Sequence, residues 1–90
     1  MEQIRAVVHG VVQGVGFRYH TRQVAQQLGV EGFVRNRPDG TVEIVAQCSS
    51  DQLKSLLHWA HQGPAGARVT QVETEPYTGA DRFDGFTIER

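Results

Sequence analysis

An α+β domain, with an antiparallel sheet and two helices on one of its faces, is what this 90-residue sequence predicts. Three observations carry that reading. Apolar residues change period along the chain in the order strand, helix, strand, strand, helix, strand, with one further strand at the end. Turn residues stand at the changes of period: Gly29, Pro38-Asp39-Gly40, Gly63-Pro64 and Gly79. The length supports one domain, residues 1–90, with a real but modest core. This order of elements is that of the ferredoxin-like split βαβ arrangement, βαββαβ plus a C-terminal strand. Right-handed crossovers then place the first and third strands side by side in the middle of the sheet.

The elements follow from the residues in turn. Ile4 to Val12 is rich in Val and Ile at both parities, as in a strand covered on more than one side. Thr21, Val24, Ala25 and Leu28 then fall on one helical face, and Gly29 stands in the C′ position, so a helix begins just after Arg18. Gly32 to Arg37 and Thr41 to Cys48 read as a hairpin through Pro38-Asp39-Gly40, with Pro at the first turn position and Gly at the left-handed one. In the second of these strands Val42, Ile44, Ala46 and Cys48 alternate with Thr41, Glu43, Val45 and Gln47, which predicts one buried face and one mostly solvated. Ser49 and Gln52 form a candidate capping box for a second helix carrying Leu53, Leu56, Leu57 and Ala60. Ala67 to Glu75 and Phe83 to Glu89 supply two weaker strands.

Composition excludes several functions. Apolar content of 39% and charged content of 21% are ordinary for a globular protein, and 9 basic against 10 acidic residues make no polyanion-binding field, which disfavours nucleic acid as a partner. The single Cys48 forms no internal disulfide, and no apolar run approaches the roughly 20 residues of a membrane span or resembles a signal peptide. A cytoplasmic, reduced location is the default expectation.

The chemistry concentrates in Gly10-Val11-Val12-Gln13-Gly14-Val15-Gly16-Phe17-Arg18-Tyr19, where a strand dissolves into glycines and delivers an arginine at a helix start. Glycine lets several backbone N–H groups converge, a helix N-terminus adds unpaired donors and partial positive charge, and Arg18 offers bidentate bonds to an oxyanion. Two other phosphate loops do not fit. The P-loop needs four residues between its glycines and a Gly-Lys-Ser/Thr end, and the dinucleotide fingerprint needs a small residue where Tyr19 stands. A glycine-rich turn serving packing alone is the competing reading.

Gly10 through Arg18, taken with Gly32-Phe33-Val34-Arg35-Asn36-Arg37-Pro38-Asp39-Gly40, resembles the acylphosphatase family. Both signature segments occur in order, and the likeness spans essentially the whole chain, less specifically in its last third. The resemblance implies the ferredoxin-like fold with the last strand extending the sheet. It implies hydrolysis of an acyl phosphate to a carboxylate and inorganic phosphate by a small free-standing enzyme. It also implies that phosphate is bound by Gln13, Gly14, Val15, Gly16, Phe17 and Arg18, and that Asn36 orients the water. From composition alone Asn36 reads rather as the initiator of the hairpin turn, a preference that the resemblance reverses. No cofactor or metal is expected, inorganic phosphate is the expected product and inhibitor, and a monomer without nucleic-acid or membrane partners is the expected state.

Other polar residues carry weaker signals. His58 and His61 stand three apart on a helix without a third ligand at suitable spacing, and His9, His20 and Cys48 complete no zinc pattern. Arg5, Arg22, Arg35 and Arg37 read as solvated faces or as sources of local positive potential, and Trp59 reads as a packing residue. Two alternatives stay open beside the enzyme. One is a small RNA-binding or regulatory module using Phe17, Tyr19 and Phe33, against which stand the missing RNP1 pattern and the absence of net positive charge. The other is an acylphosphatase-like domain of a larger maturation enzyme. Nothing in the sequence identifies a pocket for the acyl group.

Overall fold

Seven elements follow the expected order: β1 (Glu2–Val11), α1 (Phe17–Leu28), β2 (Glu31–Asn36), β3 (Val42–Cys48), α2 (Ser50–Gln62), β4 (Arg68–Pro76) and β5 (Phe86–Glu89). They are taken from a computed structural model that describes residues 1–79 and 82–90. The strands are ordered β4-β1-β3-β2-β5, so β1 and β3 are neighbours at the centre. β1 and β2 both pair antiparallel with β3 and therefore run in the same direction. The last strand does extend the sheet, but parallel to β2, with Gly32 opposite Phe86, so the sheet is mixed rather than wholly antiparallel. The reason is geometric. β4 ends beside Ile4, at the end of the sheet where β1 and β2 begin, so the chain re-enters next to the start of β2 and runs with it.

One face of the sheet carries both helices. Ala6 and Val8 of β1, Val34 of β2 and Val42, Ile44, Ala46 and Cys48 of β3 pack with Phe17 and Ala25 of α1 and Leu53, Leu56 and Ala60 of α2 in a single apolar cluster. Each large aliphatic or aromatic side chain removed from water there contributes about 1.5–3 kcal/mol before entropy is charged. Burial, with the Glu2 carboxylate nearby, pushes the Cys48 thiol up, as suits a core residue. Gly29 ends α1 as expected, with Val30 N donating to Ala25 O at 2.9 Å and Gly29 N to Gln26 O at 3.2 Å. The capping box of α2 is formed too: Gln52 N donates to Ser49 Oγ at 3.2 Å and Ser49 N to Gln52 Oε1 at 2.8 Å. The Gln52 amide also donates to Leu28 O at 2.8 Å, tying the start of α2 to the end of α1.

Three further expectations are corrected. α1 begins at Phe17, one residue before Arg18 rather than after it, because the buried Phe17 ring anchors the first turn against Trp59 at 5.3 Å. β5 begins at Phe86, since Phe83 leaves the sheet to join Phe33 and Tyr77 in an aromatic cluster at 6.1 and 6.3 Å. β3 is buried on both faces rather than one: Val45 is fully buried and Glu43 is 4% exposed. As the middle strand of five, β3 receives side chains from both neighbours on the face without helices. Arg35 donates to Glu43 Oε1, and Arg5 Nε lies 2.5 Å from Oε2 in a charge contact without hydrogen-bond alignment. Phe33 lies opposite Val45 in the register.

Candidate active site

The glycine loop is held at both ends by core residues, Val12 before it and Phe17 after it, both buried. Between them the backbone alternates in hand. Gly14 and Gly16 both have φ of 77°, whereas no residue other than glycine in the described structure has positive φ. Such alternation turns successive N–H groups toward one concavity, and a side chain at either glycine would strain the backbone. Gly16 is also the N-cap of α1, without any side-chain capping bond and without an acidic residue in the first turn.

Donors at this place are unspent. Among the described residues, no backbone N–H from Gln13 to Tyr19 donates to a carbonyl. Arg18, half-buried in the first turn, makes no hydrogen bond or ion pair there either. The carbonyl of Gly16, by contrast, is doubly used: His20 N donates to it at 3.0 Å and His20 Nδ1 at 2.8 Å. Since a carbonyl only accepts, Nδ1 carries the proton. His20 thus braces the helix start from outside, and the buried Thr21 hydroxyl donates to Phe17 O at 2.8 Å one turn on.

Asn36 reaches the same end of the sheet by pairing alone. Val8 of β1 lies opposite Val42 of β3, and Val42 lies opposite Asn36, the last residue of β2. The turn after it has the expected form: Gly40 N donates to Arg37 O at 3.1 Å, Gly40 has φ of 92°, and Arg37 N donates to Thr41 O at 2.9 Å. Asp39, not Asn36, supplies the side chain that organises this turn. Its Oδ1 accepts from Thr41 Oγ1 at 2.6 Å and from Thr41 N at 3.0 Å, bonds that hold its carboxyl below the usual 3.8. Asn36 Oδ1 is buried and accepts no hydrogen bond from the described residues. The loop and the hairpin are joined by Gln13, whose side-chain amide donates to Arg37 O at 2.8 Å and to Thr41 O at 2.9 Å. That role was not legible in the sequence, because the partners lie 24 and 28 residues away.

The remaining candidates resolve into structure. Arg5 and Arg35 are spent on Glu43, and Arg22 lies over the Tyr19 ring at 5.6 Å. Trp59 packs on Phe17, and His61 Nδ1 donates to Leu57 O at 2.8 Å. Among the described residues no three His, Cys, Asp or Glu side chains group in a way that could hold a metal, and no helix is long and apolar enough to cross a membrane. A cleft of about 580 Å³ lies by β5, between Arg35, Phe83 and Thr87, away from the loop.

Among the described residues, backbone amides without carbonyl partners and the unpaired Arg18, set at the end of a ferredoxin-like sheet, are groups chemically able to hold an oxyanion. A sequence profile of the acylphosphatase family matches residues 4–88. The acylphosphatase of Actinobacillus succinogenes is 46% identical over 90 residues, covering 100% of both chains, and that of Yersinia pseudotuberculosis is 51% identical over 86 residues, covering 94% of this chain and 92% of its own. The crystal structure of acylphosphatase from Bacillus subtilis superposes with a TM-score of 0.94 at 34% identity, covering 100% of both chains. The chain belongs to the acylphosphatase family and is a hydrolase of that class. These matches leave the RNA-binding or regulatory alternative without support.

Proposed function

We propose that this chain, as a single domain over residues 1–90, hydrolyses the carboxyl–phosphate bond of an acyl phosphate to a carboxylate and inorganic phosphate. The observation supporting this is the set of unspent donors where α1 begins, the amides from Gln13 to Tyr19 and the Arg18 guanidinium, with no acidic residue in the first turn of the helix. An acyl phosphate is an anhydride already activated, so the work left is to hold the phosphoryl oxygens and place a water. The amides of Gln13, Gly14, Val15, Gly16, Phe17 and Arg18 take the oxygens, with the Arg18 guanidinium forming a bidentate pair.

The Asn36 side-chain amide, at the end of the sheet to which the register of β1, β3 and β2 brings it, holds the water by a hydrogen bond and aims its oxygen at phosphorus. The water oxygen bonds to phosphorus, the bond from phosphorus to the acyl oxygen breaks with its electron pair leaving on the carboxylate, and both water protons stay with the product, released as dihydrogen phosphate. A carboxylate, whose conjugate acid has a pKa of about 4, is a weak enough base to depart unprotonated. The amides and the guanidinium neutralise the phosphoryl charge, so no metal ion enters this mechanism. In this reading the protein is a cytoplasmic monomer acting on a small molecule, with phosphate as product and competitive inhibitor and with no nucleic-acid partner.

The test is phosphate release from acetyl phosphate after prolonged chelation, run beside a phosphomonoester. Undiminished release from the acyl phosphate only, with competition by inorganic phosphate, is expected. A requirement for added magnesium or zinc would remove the metal-free mechanism, and release from the monoester alone would remove the acyl phosphate assignment.

A further inference from the structure

We infer that the Gln13 side chain is a positioning residue that holds Asn36 in register with the anion loop. The inference rests on the proposal above that Asn36 places the water. Among the described residues, the hydrogen bonds joining 13–18 to the hairpin around Asn36 come from Gln13 alone, through both hydrogens of its amide. One of its acceptors, Arg37 O, belongs to the residue that follows Asn36.

The two accepting carbonyls do not need Gln13 for their own satisfaction. Arg37 O already accepts from Gly40 N, and Thr41 O from Arg37 N. Those bonds fix the shape of the turn, whose tip residues Pro38, Asp39 and Gly40 are exposed, and strand pairing brings Asn36 to this end of the sheet. The Gln13 bonds add the direct tie between the hairpin and the loop itself. Gln13 can do this from within the loop because its main-chain N–H is left without a carbonyl partner among the described residues while its side chain, half-buried, reaches the hairpin. Asparagine at this position would be one methylene too short, and glutamate has no hydrogen to donate. A displacement of about 1 Å in a catalytic group can cost about 10²-fold in rate, so a clamp of this kind acts on turnover without touching substrate.

The experiment is a double-mutant cycle of Gln13→Met and Asn36→Ala, reading kcat on acetyl phosphate, the inhibition constant of inorganic phosphate, and the melting temperature. Gln13→Met alone should lower kcat about tenfold to a hundredfold with the phosphate constant unchanged. Asn36→Ala alone should lower kcat by about 10²–10³, again at constant phosphate affinity. Combined, they should lose no more than Asn36→Ala does. An equal loss from Gln13→Met in both backgrounds, or a phosphate constant rising in step with the rate loss, would overturn the inference while leaving Asn36 in place. Unchanged kcat in Asn36→Ala would instead overturn the water-placing role, and the inference with it. If Gln13→Met does not fold, the neutral Gln13→Ala replaces it in the same cycle, with the same outcomes.

Discussion

The two helices of this protein begin in opposite ways. α2 is closed by its own chain: Ser49 and Gln52 cap one another, and Asp51 places a carboxylate in the first turn, against the positive end of the helix. α1 has a glycine at its N-cap, no side-chain capping bond and no acid in its first turn, and a cation, Arg18, stands where an anion is electrostatically preferred. By the rules that stabilise helices, α1 is the poorer start, and its folding is secured instead by Phe17 against Trp59 and by the bonds of His20 to Gly16. A helix start whose donors are satisfied from within is structural. One whose donors are left open, with an arginine adding to the positive field, is free to take an anion, as proposed above.

That contrast can be broken at its strongest point by Arg18→Ala. A charge-assisted hydrogen bond is worth about 1.5–3 kcal/mol, so losing a bidentate pair should cost about two to four orders of magnitude in kcat/KM, with phosphate inhibition lost alongside and the melting temperature preserved. A folded variant keeping a tenth of wild-type turnover would end the assignment of Arg18. A smaller change would make α1 resemble α2. Tyr19 is 49% exposed in the first turn of α1, and Tyr19→Glu should raise the phosphate inhibition constant about tenfold while leaving the fold as stable or slightly more so. An unaltered constant would place the anion elsewhere than on this helix end. The smallest effect belongs to the other helix. Ser49→Ala should cost about 1 kcal/mol, or about 5 °C in melting temperature, and leave kcat and phosphate affinity alone. A change in either kinetic constant would show that the two helix starts are not separable as described.

Legibility from the sequence was greatest where the determinants are local. The capping box at Ser49 and Gln52, the C′ glycine at position 29 and the Pro38-Asp39-Gly40 turn were each recognisable from neighbouring residues, and each has the expected hydrogen bonds. Glu43 shows where local pattern fails. Alternation along β3 put it toward solvent, but a middle strand is covered by what its neighbours carry, here Arg5 from β1 and Arg35 from β2. Phe83 failed for a related reason: an aromatic residue beside a strand reads as strand, while its partners, Phe33 and Tyr77, are settled by how the chain folds back.

The candidate site divides along the same line. Sequence alone determined the loop of Gly14 and Gly16, the presence of Arg18 at a helix start and the residue type of Asn36, because backbone handedness and charge are properties of single residues and their neighbours. Tertiary structure decided that Val8, Val42 and Asn36 share a register, that Asn36 Oδ1 is buried without a partner among the described residues, and that Gln13 reaches the hairpin. Those depend on the pairing of three strands and on a side-chain bond between residues 24 apart, and the free energy of such contacts is realised only when the sheet is assembled.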